Sequence, residues 1–230
     1  MRTPAWLATF ARIALVVAIP VILLASPLYL FVTPEYARYQ YARPGFPLAE
    51  RFNPVERARI SDVILEYLRG RVSLEDMAAV RTDTGEIAMR PDEVQHLVDV
   101  KRVTDGFFIA HAVALVVAVA SGVLLWYSDR RAFLYIYLRQ GVWITGGMIL
   151  LVLLSALLDF DLFFTRFHQI FFEEGTWIFW ADDTLIQLYP LPFWVDTVQR
   201  IVAVIAIESA LIYALSVLVH PARRLKRQRT

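Results

Sequence analysis

The sequence predicts a mainly α integral membrane protein, with four transmembrane helices and a small extracellular cap. Two features predict it: the apolar residues, 58% of 230, are gathered into four long runs, and the loops between the runs alternate in charge. The runs are 7–32, 104–127, 141–158 and 197–219. At about 1.5 Å of rise per helical residue, each is long enough to cross a hydrocarbon core of roughly 30 Å.

Charge sets the expected orientation. Arg2 and Arg12 lie at the first run, Arg130, Arg131 and Arg139 in loop 128–140, and Arg223, Arg224, Lys226, Arg227 and Arg229 in tail 220–230. Basic residues beside a span stay on the cytoplasmic side, so both termini are expected inside a cell membrane and the segments 33–103 and 159–196 outside. The second outer segment fits this, because Arg166 stands against Asp161, Glu173, Glu174, Asp182, Asp183 and Asp196. The first run exceeds a signal-peptide core, and no small-x-small cleavage site follows Pro20, so it reads as a retained anchor. There is no cysteine, which excludes a disulfide framework and a thiolate nucleophile. The basic tail is a topology signal; no nucleic-acid motif accompanies it, and no nucleic-acid partner is expected.

Taken in order, the first helix carries Pro20 and Pro27, which can kink it, and Tyr29 and Tyr36 mark the outer interface. The chain is then polar from Thr33 for about seventy residues, enough for a small cap rather than a linker. Asn53 before Pro54 opens a helix and Gly70 closes it, with Ile60, Val63, Ile64, Tyr67 and Leu68 on one face. Ser73 with Asp76 opens a second short helix, and Thr82 to Met89 reads as a turn with a short strand. Pro91 starts a helix, PDEVQHLVDVKRVTDG, that runs towards the second span. His96 and Asp99 share a face of it, so the carboxylate could hold the imidazole in one tautomer, while Lys101 points elsewhere at the same depth.

Within the spans, His111 is read as a packing imidazole and Glu208 as a structural group that needs a polar partner. Gly141, Gly146 and Gly147 are read as points of close helix approach. The segment 159–196 is the most unusual part of the chain. Twelve of the thirty-one aromatics fall in the thirty-five positions 160–194: eight Phe, three Trp and Tyr189. Connecting loops are rich in polar and turn residues, so this density predicts a pocket instead, one that grips acyl chains at the outer membrane surface. Phe164, Phe167, Phe171, Trp177, Phe179, Trp180 and Trp194 are its candidate walls, and His168 stands among them.

Topology puts His96 and His168 on the same outer face near the membrane. Imidazoles titrate near neutral pH, about 6.5 unperturbed, so two of them can serve as base and acid, with a bland interfacial placement as the alternative. A zinc site using both with a carboxylate is the competing use, though no HExxH is present. Ser61 and Ser73 lack the GxSxG elbow, and no glycine-rich phosphate loop occurs.

At EVQHLVDVK (Glu93 to Lys101), FHQIFF (Phe167 to Phe172) and GTWIFWADDTLIQLYPLPFW (Gly175 to Trp194), the chain resembles the bacterial lipoprotein intramolecular transacylases, four-helix membrane enzymes. The resemblance implies a diacylglyceryl lipoprotein substrate held among membrane lipids. An acyl chain would move from the glyceryl sn-2 oxygen to the α-amino group of the N-terminal cysteine, giving a lyso-form lipoprotein. It implies that His96 and His168 are the catalytic pair, with Asp99 the candidate orienter and Lys101 a candidate for the oxyanion or lipid headgroups. Nucleophile and ester then belong to one substrate, so no enzyme nucleophile, metal or other cofactor is needed. A non-catalytic lipid- or lipoprotein-binding protein and a metal-dependent membrane hydrolase are the other two classes that the sequence allows.

Overall fold

The computed structural model describes residues 3–220, so Arg2 and the basic tail from 221 onward lie outside it. Ten α-helices occur among the described residues: α1 Ala5–Ala25, α2 Leu28–Phe31, α3 Pro34–Tyr41, α4 Pro54–Leu68, α5 Leu74–Ala78, α6 Pro91–Trp126, α7 Leu134–Leu158, α8 Phe160–Phe171, α9 Thr184–Leu188 and α10 Leu191–Leu218. Among the described residues no strand forms; the expected strand near residue 85 is an isolated antiparallel bridge between Arg81 and Ile87, turned by Gly85 at φ +89°. Four helical stretches are long and apolar enough to span a membrane: Ala5–Phe31, Pro91–Trp126, Arg131–Leu158 and Leu191–Leu218. They extend beyond the apolar runs, because Arg139 or Asp196 interrupts a hydropathy pattern without breaking a helix. Apolar side chains stand exposed along them, among them Val116 on α6, Leu151 on α7 and Leu211 on α10. Such surfaces are stable only where lipid is the solvent.

The described residues form two compact units. In the first, whose described residues are 3–27, 108–154 and 201–220, Leu15, Ile19 and Leu23 of α1 share a core with Leu125, Leu134, Tyr137 and Ile205. The first helix passes through Pro20 and breaks at Ser26 and Pro27. There the Ser26 hydroxyl donates to Glu208 at 2.5 Å, which gives the mid-helix carboxylate its polar partner. Of the three glycines only Gly141 marks a close approach: a Cβ there would sit 2.6 Å from Ile19 Cβ, whereas Gly146 and Gly147 face open space.

The second unit takes 28–107 and 155–200, so the expected cap and the expected aromatic segment are one body. Its core joins Tyr36, Ile60, Ile64, Leu68, Met77 and Leu97 to Leu188 and Phe193. The local signals hold: Asn53 Oδ1 accepts the amides of Val55 and Glu56, Ser73 caps α5, and Gly70 ends α4 at φ +73°. Polar groups also bury here. Gln40, fully enclosed, donates to the Tyr36 hydroxyl and to Asp196 at 2.5 Å each, and Arg57 donates to the carbonyls of Pro47 and Leu188 while lying over the Tyr41 ring.

The α6 helix divides by composition. Positions 107–126 contain no Asp, Glu, Lys or Arg and supply the membrane-spanning part. The turns before it carry Asp92, Glu93, Asp99, Lys101, Arg102 and Asp105, charges that a hydrocarbon core disfavours.

Gly141→Ala forces a shift of Ile19 or of the backbone. We expect a lower unfolding midpoint in detergent, on the scale of roughly 1–3 kcal/mol for overpacking. Gly146→Ala is the control and should leave the midpoint unchanged.

Candidate active site

The site forms on the 91–107 part of α6, on α8 and on the stretch that links α8 to α9, all within the second unit. Asp159 starts α8: its side chain accepts the Leu162 amide at 2.9 Å. Residues four apart on a helix share a face, and α8 stacks two rows of rings on that rule. Phe160, Phe164, His168 and Phe172 form one row, with successive centroids 6.2, 4.1 and 5.6 Å apart. Phe163, Phe167 and Phe171 form the other, at 6.5 and 5.0 Å.

The first row meets His96. The two imidazole centroids lie 6.3 Å apart with planes 23° from parallel, and each residue keeps only 9% of its surface exposed. Phe172 touches both, at 4.9 Å from His96 and 5.6 Å from His168. Phe179 closes on His96 at 5.4 Å and Trp177 on His168 at 4.7 Å. A phenyl wall offers an imidazole no hydrogen bond, so the charged form is disfavoured. Burial pushes His96 down to about 4, with His168 adding to the push and Asp99 opposing it. Burial also lowers His168, against the pull of its hydrogen bond to the backbone.

That bond fixes a tautomer. His168 Nδ1 lies 2.7 Å from the Phe164 carbonyl, which can only accept, so Nδ1 carries the proton and Nε2 of the neutral ring carries the lone pair. His96 Nδ1 and Trp177 Nε1 are both buried without a hydrogen-bond partner. Buried polar atoms are seldom left so, and a substrate group is one way to satisfy them.

The other expected residues fall differently. Phe164 and Phe167 touch His168, at 4.1 and 5.6 Å. Phe171 packs on Phe107, Phe167 and Phe172, and Trp194 packs on Phe164 while its indole N–H donates to the Tyr189 carbonyl. Trp180 is 74% exposed and makes no ring contact with either imidazole. Asp99 does not orient His96: its carboxylate takes Arg102 at 2.9 Å, because a guanidinium one turn on attracts it more strongly than a neutral ring. Lys101, about 140° around the helix from His96, pairs with Asp105 at 3.1 Å and lies over Tyr67. Among the described residues no three His, Asp or Glu side chains converge in a metal-binding group.

Two residues escaped the reading of the sequence. Phe172 was legible as the next ring at a spacing of four from His168. Glu93 had no such signal. It is fully buried, and its two oxygens accept the Arg90 amide at 2.9 Å and the Leu185 amide at 2.8 Å, which ties the start of α6 to the start of α9. Arg90 pairs with Asp183 at 2.5 Å, Asp183 accepts the Trp180 amide, and the Thr184 hydroxyl donates to the Ala88 carbonyl. The loop that carries Trp177 and Phe179 is thereby anchored beside His96.

Fold and site together define an integral membrane protein with a paired-imidazole centre in an aromatic enclosure. Residues 11–194 match the family described as lipoprotein intramolecular transacylase Lit. The chain belongs to that family of membrane acyltransferases. It is 27% identical over 185 residues to an uncharacterized protein of Aquifex aeolicus, covering 79% of this chain and 82% of that one. Its fold matches the membrane integral lipoprotein intramolecular transacylase Lit from Bacillus cereus, with a TM-score of 0.76 at 19% identity over 98% of this chain and 99% of that one. A structure of that enzyme with one histidine replaced by alanine aligns with a TM-score of 0.69 at 19% identity, over 96% of this chain and 95% of that one.

Glu93→Ala strands two amides, at roughly 1–3 kcal/mol for each one left buried and unpaired. We expect a lower unfolding midpoint and, because the loop loses its anchor, a red-shifted tryptophan emission. An unchanged spectrum would contradict the anchoring role.

Proposed function

We propose that His96 and His168 carry out an intramolecular acyl transfer on a diacylglyceryl lipoprotein. The acyl chain moves from the glyceryl sn-2 oxygen to the α-amino group of the N-terminal cysteine, which yields the lyso form. The observation that carries this reading is the tautomer of His168, which leaves Nε2 as a base in an apolar enclosure, on a ring whose centroid lies 6.3 Å from that of a second imidazole.

The steps balance within one substrate. The neutral amine attacks the ester carbonyl carbon, and a C–N bond forms while the carbonyl oxygen takes the negative charge. His168 Nε2 accepts the proton from nitrogen. As the tetrahedral centre collapses, the C–O bond to glycerol breaks and that oxygen takes the proton held by His168, relayed through His96, which gives one ring proton and takes up another, so both rings return to neutral. No net proton is gained or lost, so the pair suits the reaction while both rings start neutral. The oxyanion needs a donor, and Lys101 is engaged with Asp105; the unpartnered indole N–H of Trp177, beside His168, fills that role. Phe164, Phe167, Phe172 and Phe179 hold the two chains so that amine meets ester. Intramolecular placement of this kind is worth roughly 7–11 kcal/mol of barrier.

The reading carries an orientation: the histidine pair on the outer face, and Arg130, Arg131 and Arg139 on the cytoplasmic side.

A reporter lipoprotein analysed by mass spectrometry tests the proposal, since transfer changes acyl position at constant acyl number. His96→Ala and His168→Ala should fold and give no lyso product, and Trp177→Phe should lower kcat by about 10²–10³-fold, as for loss of one oxyanion donor. Full activity in either histidine variant would falsify the assignment. The pH profile gives a second test. Both folded imidazoles titrate below their ordinary value of about 6.5, so the base stays neutral as pH falls through that value. The limb of kcat set by the enzyme should lie below pH 6.5, apart from any limb due to the substrate amine near 7.7–8.0.

A further inference from the structure

The apolar arc of helix α8 is wider than the part that the imidazole enclosure covers. Phe164, His168 and Phe172 face the imidazole enclosure, whereas Phe163, Phe167 and Ile170 fall further round, on a stripe about 100° to 160° around the helix from His168. Along the stripe Phe167 is 43% exposed and Ile170 is 74% exposed, while Gln169 and Arg166 occupy the remaining outer arc with Leu162 between them, and Asp161 lies in line with His168, away from the stripe. Water would disfavour such a stripe, and its location within the second unit indicates what covers it.

Both ends of α8 are fixed at the edge of a membrane span. Its first residue follows Asp159 directly after Leu158, the last residue of the third span, and Leu158 is 84% exposed on that apolar helix. Its last residue, Phe171, packs at 5.9 Å on Phe107, the first residue of the charge-free stretch of α6. Twelve residues at about 1.5 Å of rise give a rod of about 18 Å. A rod held at both ends at the hydrocarbon boundary lies along that boundary. An amphipathic helix of this type sinks its apolar arc to the depth of the upper acyl chains and keeps its polar arc among headgroups, where Arg166 can reach phosphate.

We propose that α8 is an interfacial helix, with the Phe163–Phe167–Ile170 stripe immersed in the acyl region of the bilayer. Phe167 belongs to the stripe and also touches the His168 ring at 5.6 Å. One consequence rests on the acyl-transfer reading: a diacyl substrate held in the bilayer meets Phe167 and then His168 without leaving lipid.

The chain has no cysteine, so single cysteines can be labelled without further substitutions. Ile170→Cys, Gln169→Cys and Asp161→Cys are each introduced into the full chain, labelled with a nitroxide and placed in phosphatidylcholine and phosphatidylglycerol vesicles. Collision with oxygen, which concentrates in lipid, is compared with collision with a water-soluble nickel chelate. The oxygen-to-nickel ratio at 170 should exceed that at 169 and at 161 several-fold. Equal ratios, or a higher one at 169, would overturn the proposal. The ratio is read on unreacted protein, so a chain that fails the reporter assay still answers it, and a correct depth profile would survive failure of the acyl-transfer reading.

Discussion

One buried carboxylate sets the geometry on which the site depends. Helix starts leave amide protons without partners, and Glu93 satisfies one from Arg90, just before its own helix, and one from α9. A single side chain with two acceptors can bridge two elements in a way that no apolar contact can, because hydrogen bonds fix direction as well as distance. Glu93 and His96 lie three apart on α6 and so share a face. The group that anchors the loop and the group that the loop encloses are therefore positioned by the same turn of helix.

The enclosure itself works through what it withholds. Phenyl and indole rings around His96 and His168 supply packing and no counter-ion, so burial drives both imidazoles towards the neutral form. Among the described residues, the one hydrogen bond that the pair makes is donated by His168 Nδ1 to a backbone carbonyl four residues back on the same helix. A backbone partner cannot titrate or swing away, and it sets the tautomer without adding charge. Aromatic density thus has two uses on α8, with one row of rings shaping the acid and base environment and the other forming an outer apolar surface.

How much of this was legible in the sequence follows from the range of each interaction. Asn53, Ser73 and Gly70 announce helix ends because a cap acts within three or four residues. The ring ladder of α8 was legible too, at a spacing of four, but the density of aromatics masked the period and suggested a pocket without a helix. Asp99 shows where local reading stops. Three residues before it stands His96 and three after it stands Arg102, and spacing cannot choose between them. The choice follows from His96 being neutral, which is a property of the walls that Phe172 and Phe179 build from distant sequence.

By itself the sequence determined the four spans, the helix starts and the side chains able to do acid and base chemistry, because contiguous apolar runs, caps and residue types act locally or through the solvent. Tertiary structure alone decided that Glu93 joins α6 to α9, that Phe172 touches both imidazoles, and that Asp99 and Lys101 turn to Arg102 and Asp105. Partner choice among buried polar groups depends on what has been excluded from water, and that is settled only when the whole unit has packed.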